Sequence, residues 1–355
     1  MAQATSTPVT SGKEPQVANI AVIDYEKLLA KNPAEVAKLY EACAHWGFFY
    51  LNLEGEQTKE YLDNVGALFG AAKEYFAKPL EEKLKDTRKE IPVYNICGYK
   101  PMGSLGLDEG NMKQKRNGSE NLRVPLDLFY NPDAQPDLYF PEGMKQHEKQ
   151  FTSFIKQSRG MAIRVLENLS DHLGLQGEQR FEAYHKSDEI STSSAVLQHY
   201  PRTKLPEGTS AGHFTHTDTG SITVLFNTEW GLQVFSPETE EWEYVPPRDN
   251  CAIINVGDSL KFISNFQLKS SLHRVVPASS HWVSESRYAT IFFLRASNTV
   301  RFTDTEGVNW TGGEWLDAKF QNYRRAHMDQ EKNAISTGKL GFSGLWDGAK
   351  DAVAA

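Results

Sequence analysis

The sequence predicts a mainly β fold: a jelly-roll, or double-stranded β-helix, core with an N-terminal helical layer. Three observations carry this. From residue 195 to 295, short runs rich in Val, Ile, Phe and Tyr follow one another, broken by Gly, Pro, Asn and Asp. Upstream of them, apolar residues recur at helical spacing. No glycine-rich loop precedes a helix, which argues against a dinucleotide-binding fold. The 355 residues, 39% hydrophobic and 24% charged, are apolar enough to bury a core and not charged enough to stay disordered.

In chain order, residues 1–16 are mostly Thr, Ser, Gly, Pro and Gln with little to bury, and read as a disordered tail. Residues 17–190 form a helical and strand region that packs on the barrel. Within it, Asn19–Asp24 reads as a short buried strand, and helical patterns follow near 33–45 and 58–77, the second ended by Pro79. A long amphipathic stretch covers about 142–174, where Phe151, Phe154, Ile155, Ile163, Leu166, Leu169 and Leu173 mark one face, as expected of a helix backing a sheet. Residues 191–300 hold the core, with strands expected at 195–200, 221–226, 231–235, 242–245, 251–256, 259–263, 272–276 and 288–295. In residues 301–355 a last helical pattern, about 314–333, leads to a Gly-rich end containing Trp346, which could close over a site as a lid or form a loose tail.

Composition narrows the function. The net charge is −8 and no dense Lys/Arg stretch interleaves with aromatics, so nucleic-acid binding is not expected. No apolar run approaches the roughly 18 residues needed to span a bilayer, and the N-terminus has no secretory h-region. Cys43, Cys97 and Cys251 are widely spaced and odd in number, which excludes a disulfide framework and a CxxC metal site. A cytoplasmic protein acting on a small molecule is the expectation.

The chemistry concentrates on His216-Thr-Asp218 and His273. Residues i and i+2 of a strand share a face, so His216 and Asp218 can bind one ion, and a neighbouring strand can add His273. Two imidazoles and a carboxylate that leave the opposite positions open suit non-haem Fe(II). His327-Met-Asp329 has the same spacing but falls in a helical pattern, where i and i+2 diverge by about 200°. His213, three residues before His216, is expected on the opposite strand face. Fourteen residues after His273, Arg287 opens an apolar strand; a cation there needs an anion, and a guanidinium fits a carboxylate through two hydrogen bonds. An internal salt bridge is the alternative use of Arg287. Alternation puts Ala289, Ile291 and Phe293 on its face, toward the cavity, and Tyr288, Thr290 and Phe292 on the other.

With these residues the chain resembles the 2-oxoglutarate- and Fe(II)-dependent dioxygenases of the isopenicillin N synthase-like type, from about residue 18 to 327. The N-terminal half of the resemblance rests on Ile20-Ala-Val-Ile-Asp24, His45-Trp-Gly-Phe-Phe49, Phe76-Ala-Lys-Pro-Leu-Glu-Glu-Lys83 and Gly98-Tyr99. The C-terminal half rests on His199-Tyr-Pro201, His216-Thr-Asp-Thr-Gly220, Gly231-Leu-Gln-Val234, Asn255-Val-Gly-Asp258, Lys269-Ser-Ser-Leu-His-Arg-Val275 and Ser286-Arg-Tyr-Ala-Thr-Ile-Phe-Phe293. The segment around SRYATIFFLR looks most like the cephalosporin ring-expanding branch, a likeness too short to transfer a substrate. The resemblance implies Fe(II) on His216, Asp218 and His273, with 2-oxoglutarate and O2 as cosubstrates and ascorbate as a supporting reductant. It implies that Arg287 and the Tyr200 hydroxyl hold the far carboxylate of 2-oxoglutarate, and it puts Phe293 beside the substrate. Tyr99, Phe214 and Phe262 are further candidates for the substrate pocket. The family pattern Arg-x-Ser is broken here by Ala289.

The function expected is oxidation of a C–H bond of a small, specialised metabolite, by hydroxylation, desaturation or ring expansion. Two alternatives stand beside it: an Fe(II) oxidase of the same fold that does not use 2-oxoglutarate, and a non-catalytic jelly-roll binding protein.

Overall fold

The computed structural model describes residues 15–87, 97–102, 116–201, 209–210, 212–276, 286–325 and 327–338. Most of the expected 1–16 tail and the Trp346 segment lie outside these. Gln16 belongs to the fold after all: its carbonyl accepts the Tyr244 amide at 2.8 Å, and the Ala18 amide donates to Tyr244 at 2.9 Å.

Strands β1 (Val22–Asp24), β2 (Phe48–Asn52), β3 (Gly98–Lys100), β4 (Glu120–Pro125), β5 (Ser194–Tyr200), β6 (His213–His216), β7 (Ile222–Asn227), β8 (Leu232–Phe235), β9 (Trp242–Tyr244), β10 (Cys251–Val256), β11 (His273–Val275) and β12 (Arg287–Leu294) make two facing sheets. The major sheet runs β1-β2-β10-β7-β12-β5-β4-β3 and is antiparallel except for β1 on β2. The minor sheet runs β9-β8-β11-β6. The N-terminal region thus supplies four of the eight major strands.

Helices α1 (Pro33–His45), α2 (Lys59–Phe76) and α3 (Glu148–His172) form the expected layer. Pro33 at N1 and the Asn32 side chain, which accepts the Ala34 and Glu35 amides, set the start of α1. Tyr61, Val65, Leu68 and Ala72 of α2 and Phe151, Phe154, Ile155 and Leu166 of α3 join one core cluster with Leu122, Val224, Ile254 and Phe292 of the sheet's outer face. The alternate residues Leu225, Ile253, Ala289 and Ile291 turn inward, where Leu232 and Val234 of the minor sheet meet them. Period-2 alternation therefore splits each central strand between the helix-covered core and the space between the sheets, where the site lies.

Three expectations need correction. Residues 259–263 lie in a helix, α4 (Asp258–Ile263), not a strand; the run was too short to separate the two periods. The helical pattern at 314–333 divides into α5 (Gly312–Asn322), opened by a Thr311/Glu314 capping box, and α6 (His327–Glu331). Strands β2 and β4 were not expected, because β2 is apolar without alternation and β4 carries Glu120, Asn121 and Arg123. Among the described residues no helix is long and apolar enough to cross a membrane.

Candidate active site

His216 ends β6, Asp218 follows in the loop, and His273 opens β11, where it pairs directly with His216. Their ligand atoms lie within 4.8 Å of one another. Asp218 Oδ1 is 3.7 Å from His216 Nε2 and 3.8 Å from His273 Nε2. Each imidazole is oriented from behind: Nδ1 of His216 is 2.8 Å from the Phe214 carbonyl, and Nδ1 of His273 is 3.1 Å from the Ser271 carbonyl. A carbonyl only accepts, so Nδ1 carries the proton and the Nε2 lone pair points inward. Burial, with the neighbouring His216, depresses His273 to about 4, keeping it in the neutral form a metal needs. Burial alone would raise Asp218, but His273, His216 and Asn255 outweigh it and hold the carboxyl well below its ordinary range. Two neutral imidazoles and one carboxylate on a buried face are a donor set that fits a divalent metal such as Fe(II).

The Asn255-Val-Gly-Asp258 motif supports Asp218 from behind. Asn255 Nδ2 (2.8 Å) and its cross-strand partner Thr223 (Oγ1, 2.6 Å) both donate to Asp218 Oδ2, which leaves Oδ1 facing the histidines. A Cβ on Gly257 would stand 2.2 Å from the Gly220 carbonyl, so only glycine lets β10 approach the loop after Asp218. There the Asp258 amide donates to the Asp218 carbonyl at 2.7 Å. The Asp258 carboxylate accepts from Thr217 at 3.1 Å and from the buried Lys319 of α5. Removing the lysine would strand a buried carboxylate, so Lys319→Met is expected to cost about 3–5 kcal/mol in denaturant unfolding, with Asp258→Asn in the same chain recovering part of it.

His213 is misassigned by simple alternation. Three residues of β6, from His213 to His216, oppose the two-residue step from Val275 to His273, so a bulge interrupts the pairing. The extra residue reverses the phase and brings His213 into the cavity, its ring 4.6 Å from that of His216. It is not one of the three convergent ligands. His327 lies in α6, as the helical reading requires.

At the other end of the cavity Arg287 and Tyr200 are cross-strand partners on β12 and β5. The guanidinium carbon lies over the tyrosine ring, 4.9 Å from its centre. Burial raises the Tyr200 phenol, so it remains a donor. Arg287 Nε donates to the Glu229 carbonyl at 3.2 Å, and among the described residues no carboxylate forms an ion pair with Arg287. Leu225, Leu232, Val275, Ala289 and Ile291 wall this end. Arg287, Ala289, Ile291 and Phe293 all face the cavity, whereas Thr290 and Phe292 are fully buried on the other face. Of the substrate candidates, Phe293 and Phe214 line the cavity near the triad. Tyr99 and Phe262 do not: the Tyr99 hydroxyl donates to Glu120, and Phe262 packs with Phe302 and Trp315. Their aromatic character served the core instead.

The chain is similar to known proteins over most of its length. Residues 191–296 match the 2OG-Fe(II) oxygenase superfamily, and residues 20–143 match the non-haem dioxygenase N-terminal region described from morphine synthesis. A 2-oxoglutarate-dependent dioxygenase of Gibberella zeae is 32% identical over 92% of this chain and 95% of its own length. The dioxygenase gloE of Glarea lozoyensis is likewise 32% identical, over 92% and 95%. The crystal structure of full-length Neurospora crassa T7H in complex with alpha-KG has the same fold, with a TM-score of 0.70 at 22% identity, covering 89% of this chain and 98% of that one.

Proposed function

Because the chain belongs to the 2OG-Fe(II) oxygenase superfamily, we propose that His216, Asp218 and His273 hold its Fe(II) and that Arg287 and Tyr200 anchor its 2-oxoglutarate. The protein is a 2-oxoglutarate-dependent non-haem iron dioxygenase acting on a small molecule. The observation that supports the residue assignment best is that one cavity contains both a three-donor face and, at its far end, a buried guanidinium that forms no ion pair among the described residues.

When bound, the metal and cosubstrate supply the oxidising power: 2-oxoglutarate and O2 become succinate and CO2 while one oxygen atom enters the substrate or two hydrogens leave it. The chain's own residues do the positioning. Asn255 and Thr223 fix the Asp218 carboxylate, the Phe214 and Ser271 carbonyls fix the imidazole planes, and Phe48 stands edge-on to His273 at 5.4 Å. Arg287 and Tyr200 offer charge-assisted donors to a carboxylate, and the apolar walls keep competing water from them. The substrate we propose is a specialised metabolite, and we keep the division at about residues 16, 190 and 300 into tail, N-terminal region, core and C-terminal segment.

Mass spectrometry of metabolite extracts incubated with protein, Fe(II), ascorbate and 2-oxoglutarate tests this. The expected result is a compound that gains one oxygen atom or loses two hydrogens, with equimolar succinate. Oxidation without succinate would reassign the protein to the oxidase alternative.

Ala289 gives a finer test. Its methyl faces the cosubstrate end of the cavity, where the family pattern has a hydroxyl. Ala289→Ser is expected to tighten 2-oxoglutarate binding, by up to the roughly tenfold or more that a hydrogen bond to a charged group provides, without changing the product. Thr290→Val, on the opposite face, should leave affinity unchanged.

A further inference from the structure

Past the triad the cavity continues into a second compartment, bordered by Phe214, Phe293, Tyr323 and two arginines. Arg123 comes from β4, and Arg295 directly follows β12. Their guanidinium carbons lie 5.9 and 5.1 Å from the centre of the Phe293 ring. Neither forms an ion pair among the described residues. Arg123 Nε donates to Asn121 at 3.3 Å, and its Nη1 is buried without a partner. Arg295 Nη1 donates to the Thr192 carbonyl, and its Nε is buried without a partner. Burial depresses both guanidiniums, to about 10 and about 9, and each further depresses the nearby Lys100. Asp218 is a carboxylate that acts on both arginines, and it already faces the two histidines.

Two buried cations that form no ion pair among the described residues, beside a carboxylate already turned to the two histidines, are costly to fold around, and such a pair makes sense where a ligand brings an anion of its own. On the proposed function, Arg287 and Tyr200 at the opposite end already serve the cosubstrate, so this anion is a second one. We propose that Arg123 and Arg295 anchor a carboxylate on the molecule being oxidised, whose apolar or aromatic body lies against Phe214, Phe293 and Tyr323. One buried unsatisfied nitrogen on each guanidinium matches the two oxygens of a carboxylate; a phosphate would have a third oxygen beyond these two donors. This assignment deepens the proposed function and rests on it.

The test uses full-length protein loaded with Zn(II), which does not turn over, with and without saturating 2-oxoglutarate. Benzoate, benzamide and phenyl phosphate are titrated by calorimetry and ligand-observed NMR. Benzoate is expected to bind in the millimolar range, and benzamide roughly ten- to hundredfold more weakly. Arg123→Gln and Arg295→Gln should each bring benzoate down toward benzamide while 2-oxoglutarate affinity stays within about twofold. Arg123→Lys keeps the charge without the fork and should fall between. The ligand-free Tm should hold or rise in the Gln variants, because an uncompensated buried charge is removed; a structural ion pair would give a fall.

Equal binding of benzoate and benzamide would overturn the proposal. So would no benzoate binding up to about 10 mM, or benzoate binding unaffected by the variants. Tighter binding of phenyl phosphate would put the wrong anion in the site. Loss of 2-oxoglutarate binding in the Gln variants would hand the arginines to the cosubstrate. Failure of the wild type to bind 2-oxoglutarate would count against the proposed function instead, and the benzoate series run without it would still decide the role of the arginine pair.

Discussion

Alanine at His216, Asp218 or His273 is expected to abolish turnover and stoichiometric Fe(II) binding. The three ligand atoms converge within 4.8 Å on one buried face, and no fourth His, Cys, Asp or Glu joins them among the described residues. Losing one therefore leaves two donors. Even residues that only support a ligand cost about 10- to 100-fold in metal affinity, so losing a ligand should exceed that. The side chains face a cavity, so far-UV circular dichroism should show the fold retained. His327→Ala is the control, with the same spacing carried on a helix, and should keep its iron. His213→Ala should also keep its iron, although its ring sits beside that of His216. Metal content by mass spectrometry after dialysis checks all five variants.

Arg287→Lys is expected to weaken 2-oxoglutarate binding by roughly one to two powers of ten. A charge-assisted hydrogen bond contributes about 1.5–3 kcal/mol, and lysine keeps the charge but not the fork. The guanidinium donates to the Glu229 carbonyl and lies over the Tyr200 ring, neither of which would orient an ammonium in the same way. The rate at saturating cosubstrate should change far less than its apparent KM, because Arg287 sits at the end of the cavity away from the triad. Unchanged KM would return Arg287 to a purely structural role.

How much was legible from the sequence follows from which periods were in play. The helices of the N-terminal layer could be read because long amphipathic runs give a clear 3.6-residue signal, and α1 starts at the residue expected. The inward set Arg287, Ala289, Ile291 and Phe293 could be read because β12 is regular for eight residues. His213 could not, because the bulge in β6 comes from pairing with β11, and a single strand's sequence does not display its partner's register. The Asp218 supports could not either: Asn255 and Thr223 lie 37 and 5 residues away in sequence, and only the β7–β10 register makes them neighbours. Arg123 was passed over for the same reason, since β4 reads as a polar segment until its pairing with β5 turns it toward the cavity. Tyr99 and Phe262 failed as pocket candidates because aromatic type alone does not separate core from cavity.

The central claim is that one cavity holds iron on His216, Asp218 and His273 with 2-oxoglutarate chelated beside it and tethered by Arg287. Anaerobic titration of 2-oxoglutarate into Fe(II)-loaded protein, followed in the visible spectrum, tests it most directly. A charge-transfer band should grow to saturation at one equivalent per chain, be absent from His216→Ala, and saturate only at much higher concentration in Arg287→Lys. No band in the wild type, or an undiminished band in His216→Ala, would contradict the account.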